Sequence, residues 1–230
     1  MARYSWLLLD ADGTLLDFDR AMDRALELTV HELGATLDVA ARSEYKRINA
    51  RAWARLERGE LDRLALGRTR FAAFFEYLSV EADHEATSHR YLEHLSGGAD
   101  WLPGAERVTR ALAQHARIAV MTNGFSMVQR PRLRASGLEE IADELIISEE
   151  VGAAKPDAKI FDAAFDLMGN PPKDRVMIVG DSLSADIAGG LGYGIDACWF
   201  NPARLAKPDA LACTFEIDDL EELRSIVDIG

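Results

Sequence analysis

From Leu102-Pro103-Gly104 onward the chain alternates short, continuous apolar runs with stretches of helical periodicity, and such an alternation folds as a parallel sheet covered by helices. The spacing predicts helices over 106–114, 128–136, 159–168, 185–189 and 220–227, and strands over 118–121, 145–147, 176–179 and 197–200. One more apolar run, 6–9, precedes them. It stops abruptly at Asp10-Ala11-Asp12-Gly13-Thr14, as a buried parallel strand does where it meets a loop.

Between that first strand and the alternation, the period changes. Met22, Ala25, Leu26, Thr29, Val30 and Leu33 recur at intervals of three and four, and Ala52, Trp53 and Leu56, then Phe71, Phe74, Phe75 and Leu78, extend the apolar stripes. Gly34, Gly59 and Gly67 read as breaks between four helices, with no strand pattern among them. The expected fold class is therefore α/β: a doubly wound parallel sheet, a Rossmann-like core at 1–17 and 97–230, with an inserted α-helical cap domain at 18–96. A chain of 230 residues suits one core carrying a sizeable insertion.

The net charge of −13 works against a surface built for nucleic-acid polymers, which needs clustered Lys and Arg, so no such partner is expected. An anionic substrate must then meet locally placed cations or backbone amides. No apolar run approaches the roughly 20 residues of a membrane helix, and no basic stretch leads into a long apolar region at the start, so a cytoplasmic protein with no membrane partner is expected. Cys198 and Cys213 sit in apolar surroundings and read as buried thiols rather than as a disulfide or a metal pair.

Four features stand at or just beyond predicted strand ends, where open α/β sheets place their ligand sites. The first is Asp10-Ala11-Asp12-Gly13-Thr14, two carboxylates followed by a glycine that lets backbone amides approach an anion. The second is Thr122-Asn123-Gly124, whose hydroxyl and amides could hold phosphoryl oxygens, although Asn-Gly is also an ordinary turn. The third is Lys155-Pro156, a candidate phosphate-neutralising cation in an acidic chain. The fourth is Gly180-Asp181 with Asp186, the last also readable as a carboxylate at a helix start. Asp10 and Asp181 on adjacent strands would repel each other without a cation between them, and oxygen ligands with no His or Cys cluster select Mg2+.

Taken in order, these motifs resemble those of the haloacid dehalogenase-like hydrolase superfamily, and the insert resembles its small helical cap. Ile146-Ile147-Ser148-Glu149-Glu150-Val151-Gly152, together with Asn49, Trp53, Gly59, Arg70 and Phe71, is similar to the pyrimidine 5'-nucleotidase branch. The resemblance implies a Mg2+-dependent phosphomonoesterase working through a phosphoaspartate, with a small phosphorylated substrate, a nucleoside monophosphate. By position, Asp10 would be nucleophile and metal ligand. Asp12 would be general acid and base, and a ligand through its carbonyl, with Asp181 the remaining carboxylate ligand. Thr122 and Lys155 would hold the phosphoryl oxygens beside Ala11, Asp12 and Asn123, with Asp186 in support. In the cap, Asn49, Trp53 and Arg70 would contact substrate, although Trp53 beside Leu56 also reads as core.

Asp12 favours phosphoester over carbon-halogen chemistry, because a halide leaves without a proton. A phosphosugar phosphatase or mutase, and a non-catalytic phosphoacceptor, remain alternatives. The acidic charge and the cap suit a monomer or a homodimer.

Overall fold

The computed structural model describes residues 3–206 and 213–228. In chain order its elements are β1 (Trp6–Leu9), α1 (Phe18–Glu32), α2 (Val39–Glu57), α3 (Arg63–Leu78), α4 (His84–Leu95), α5 (Ala105–Leu112), β2 (Arg117–Thr122), α6 (Ser126–Ala135), α7 (Leu138–Ile141), β3 (Glu144–Ile147), α8 (Ser148–Val151), α9 (Ala158–Met168), β4 (Val176–Gly180), α10 (Ala188–Tyr193), β5 (Asp196–Phe200), β6 (Phe215–Ile217) and α11 (Glu222–Ile226). They form two compact units, one of residues 1–18 with 99–230, the other of residues 19–98.

The first unit is the doubly wound α/β core. Its six strands lie in the order β3-β2-β1-β4-β5-β6, every neighbouring pair parallel. Strands buried on both faces need apolar side chains at every position, and β1 supplies four in a row. Leu7 and Leu9 join Val120 and Val179 on one face, while Trp6 and Leu8 join Ala119 and Ile178 on the other. The chain leaves β1 for β2 and β3 on one side, then crosses to β4, β5 and β6 on the other. The carboxyl ends of β1 and β4 therefore flank the point where the strand order reverses, the usual place for a ligand in open sheets.

The short helices α7 and α8 were not predicted by the spacing, and two further elements of the core depart from expectation. The edge strand β6 has only three residues, with exposed Glu216 between Phe215 and Ile217, too short a run for the pattern to register. After β4, a π-helical turn at Leu183–Ile187 runs into α10, which continues to Tyr193 rather than ending near 189. Glycines at 189, 190 and 192 hide that helix from propensity.

The second unit is all helical. Asp38, Asp62 and Asp83 each cap a helix by accepting backbone N–H groups of the first turn, and so fix where α2, α3 and α4 begin. The Tyr45, Phe71, Phe74 and Tyr91 rings pack at its centre, with centroids 5.1 to 5.9 Å apart. Gly34 and Gly59 follow helix ends as expected, but Gly67 lies inside α3, where an added Cβ would meet Ser88 Cβ at 3.1 Å. It marks close helix packing, not a break. Among the described residues no helix is long and apolar enough to cross a membrane.

Candidate active site

Asp10 follows β1 directly, and its backbone N–H extends the ladder to Val179 O at 2.9 Å, which sets the residue beside the end of β4. Asp181 follows β4, and Thr14 ties the two loops together. Its hydroxyl oxygen accepts the Asp181 N–H at 3.1 Å and lies 3.2 Å from Asp10 Oδ2. Gly13 between them has φ +88°, and a Cβ there would fall 2.6 Å from Asp181 Oδ2. The turn needs glycine for both its backbone and its space.

Lys155 is buried and reaches the same point from the loop before α9. Its ammonium donates to Asp10 Oδ1 at 2.6 Å and to Met121 O at 2.7 Å, and pairs with Asp186 Oδ1 at 2.7 Å. The Asn123 side chain holds the Lys155 backbone from both sides, donating to Lys155 O and accepting from Lys155 N, each at 2.8 Å. That side chain places the lysine, and a phosphate contact through the Asn123 backbone N–H is unaffected by its direction. Thr122, at the end of β2, is buried beside this loop.

The charges do not balance. Oxygens of Asp10, Asp181 and Asp186 lie within 4.8 Å of one another, and one ammonium faces three carboxylates. Burial pushes Asp10 well above the ordinary carboxylate range; Lys155 pulls it back, while Asp186 and Asp181 raise it further. Asp181 opens to solvent on one side, but protein packed around the rest of its carboxylate removes water and, with Asp186, pushes it up to about 6. Burial alone would lower Lys155; Asp10 and Asp186 outweigh it and push the ammonium up. An all-oxygen set two charges short of neutrality suits a hard divalent cation.

Asp186 proves central rather than peripheral. It is buried, accepts the Ser182 N–H at 3.1 Å and joins the carboxylate cluster, where the sequence had also allowed a helix-start role. The Asp12 side chain, by contrast, points to α6: Arg132 Nη1 lies 2.5 Å from Oδ1, and Gln129 Nε2 donates to Oδ2 at 2.7 Å. A ligand role for Asp12 through its carbonyl is unaffected by that direction. Neither Gln129 nor Arg132 was among the expected residues; their only signal is a shared helix face, three positions apart. Ala11 is buried between the two aspartates.

In the helical unit, Asn49 and Arg70 are both buried. Arg70 Nη1 donates to Asn49 Oδ1 at 3.1 Å, and the guanidinium lies over the Tyr91 ring at 4.6 Å. Arg70 Nε and Nη2 are buried with no hydrogen-bond partner among the described residues, and Trp53 is half-buried.

A family model described as haloacid dehalogenase-like hydrolase matches residues 4–194. Pyrimidine 5'-nucleotidase YjjG of Escherichia coli (strain K12) is 34% identical, covering 98% of this chain and 98% of its own. Pyrimidine 5'-nucleotidase PynA of Streptococcus pneumoniae is 33% identical, covering 98% of this chain and 95% of its own. The solved structure of YfnB from Bacillus subtilis, bound to magnesium, superposes with a TM-score of 0.95 at 35% identity, covering 99% of this chain and 100% of that one. Dehalogenase structures at 17–22% identity share the fold. With the strand-end carboxylates and the buried lysine in place, these matches establish that the chain is an enzyme belonging to the haloacid dehalogenase-like hydrolase family.

Proposed function

We infer that this hydrolase, a phosphatase acting on phosphoric monoesters, is a 5'-nucleotidase for nucleoside monophosphates, pyrimidine ones foremost, and that it works with Mg2+ through a phosphoaspartate at Asp10. The observation that carries the chemistry is the Asp10 carboxylate, held by Lys155 at 2.6 Å among carboxylates that need a cation. The full-length likeness to two pyrimidine 5'-nucleotidases supports the substrate class.

Asp10 and Asp181, with the Asp12 carbonyl and with Asp186 alongside, would hold the metal. When bound, Mg2+ supplies positive charge that offsets repulsion between a carboxylate nucleophile and a phosphate dianion. Asp10 attacks phosphorus and the ester oxygen leaves, giving an acyl phosphate on Asp10. Lys155 and Thr122, with backbone amides after β1, stabilise the equatorial oxygens. Asp12 gives a proton to the departing alkoxide, then takes one from the water that attacks the acyl phosphate and releases inorganic phosphate.

The test is a phosphomonoester panel with and without Mg2+. UMP, dUMP and dTMP are expected to exceed sugar phosphates in kcat/KM by at least about tenfold; equal or better turnover of sugar phosphates overturns the substrate reading. Independently of turnover, Mg2+ at about a hundred times its Kd should stabilise the chain by roughly 2.7 kcal/mol, a Tm rise of about 5–10 °C. Asp181 holds its native proton up to about 6, so without metal its stability contribution is present at low pH and lost as pH rises through that value. The Mg2+-induced rise should therefore be largest above about pH 6 and shrink below it.

A further inference from the structure

Asp12 is held by a helix rather than by its own loop. Both oxygens of its carboxylate are engaged from α6, Oδ1 by Arg132 at 2.5 Å and Oδ2 by Gln129 at 2.7 Å. Arg132 is fully buried, with its guanidinium 5.8 Å from the centre of the Phe18 ring, so its position is set by packing and not by solvent. Gln129 is likewise buried, and its Oε1 has no hydrogen-bond partner among the described residues. A buried amide normally satisfies both ends. Gln129 leaves one end unsatisfied while the other reaches Asp12, across 117 residues of sequence.

A third residue makes that reach possible. A Cβ built on Gly124 would lie 2.5 Å from Gln129 Cγ and 2.8 Å from Cδ, and closer still to Nε2. The Gln129 side chain thus passes through the volume that any other residue at 124 would fill. Gly124 has no left-handed φ that would demand glycine for the backbone. The glycine of Thr122-Asn123-Gly124 is needed for its missing side chain.

We propose that Gln129 and Arg132 are the residues that position the Asp12 carboxylate for proton transfer, and that Gly124 is bare so that Gln129 can reach it. This rests on the acid and base role given to Asp12 above. Gln129 and Arg132 act on the reaction through Asp12. Such positioning matters most where the leaving group needs a proton, since an alkoxide must be protonated as it departs whereas a nitrophenolate leaves without one. A misplaced acid therefore slows alkyl esters selectively, and a displacement near 1 Å can cost about a hundredfold.

The experiment compares kcat/KM for UMP with kcat/KM for p-nitrophenyl phosphate, using the full chain with Mg2+, in wild type, Asp12→Asn, Gln129→Ala, Gly124→Ala and the Gln129→Ala/Gly124→Ala double variant. Ribose 5-phosphate replaces UMP if the nucleotide is not turned over, which separates a wrong substrate class from a wrong positioning role. The alkyl-to-aryl ratio is expected to fall at least about tenfold in each single variant. It should fall no further in the double variant, because a methyl at 124 has nothing left to displace once Gln129 is gone. Thermal unfolding of each variant confirms the fold, and Gly124→Ala carries the test if Gln129→Ala does not fold. An unchanged ratio in Gln129→Ala and Gly124→Ala, beside a lowered ratio in Asp12→Asn, overturns the positioning role. An unchanged ratio in Asp12→Asn overturns instead the reading of Asp12 as the acid.

Discussion

Replacing Asp10 by asparagine is expected to lower phosphate release by about 10,000-fold or more while leaving the protein folded, because removing a covalent nucleophile abolishes the route and not merely a contact. The effect on stability should be small and of unusual sign. Asp10 is one of three carboxylates facing a single ammonium, and burial already pushes it up. A neutral amide relieves that imbalance and can still accept from Lys155, so metal-free Asp10→Asn should unfold at a Tm equal to or above that of wild type. The Mg2+-induced rise in Tm should fall sharply, since one carboxylate of the cluster is gone. Phosphate-release assays and thermal scans with and without Mg2+ read all three effects. Turnover within about tenfold of wild type would place the nucleophile elsewhere, and a stable phosphoprotein without turnover in the wild type would favour a phosphoacceptor.

Lys155→Met should be the most destabilising single change at the site. The ammonium is 2% exposed and is shared by Asp10 and Asp186, both buried. Deleting it leaves buried carboxylates without their cation, which costs about 3–5 kcal/mol, a large part of the 5–15 kcal/mol typical of a folded domain. The pH dependence distinguishes this from loss of packing. In wild type the Lys155 value is raised above its ordinary 10.5, so its contribution is fully present below that pH and does not vary between about pH 6 and 9. In the variant Asp10 loses its main restraint and rises further, so the folded state binds a proton more readily than the unfolded chain. The variant should then regain stability as pH falls from about 8 to 5, and Mg2+ at pH 8 should restore part of the loss. A deficit independent of both pH and Mg2+ would reduce Lys155 to a packing residue. Activity should fall by about a hundredfold or more even where the fold is intact.

The strands and the residues that end them were legible because they depend on neighbours in sequence. A run such as Trp6–Leu9 declares a buried strand by composition alone, and a carboxylate that terminates it must sit at the sheet's carboxyl edge. Asp10, Asp181 and Thr122 were found in that way, and Lys155 by its place in a loop after a strand. The capping aspartates 38, 62 and 83 were not singled out in the sequence, although their hydrogen bonds span only two or three residues. A strand of three residues with a polar centre, β6, lies below what such patterns resolve.

Contacts between distant segments had no such local signature. Asn123 could be placed near phosphate by its motif, but not bound to the Lys155 backbone 32 residues away. Asn49 and Arg70, marked by resemblance as substrate contacts, meet each other across 21 residues inside the helical unit. The sequence by itself determined the parallel sheet, the strand-end carboxylates and the lysine, because periodicity and strand termination are encoded within a few residues. Only the tertiary structure decided that Asp186 belongs with Asp10 and Asp181, and that α6 holds Asp12 through Gln129 and Arg132. Those side chains converge because the strand order reverses between β1 and β4 and β2 carries α6 to the mouth of the sheet, a consequence of topology that no local window contains.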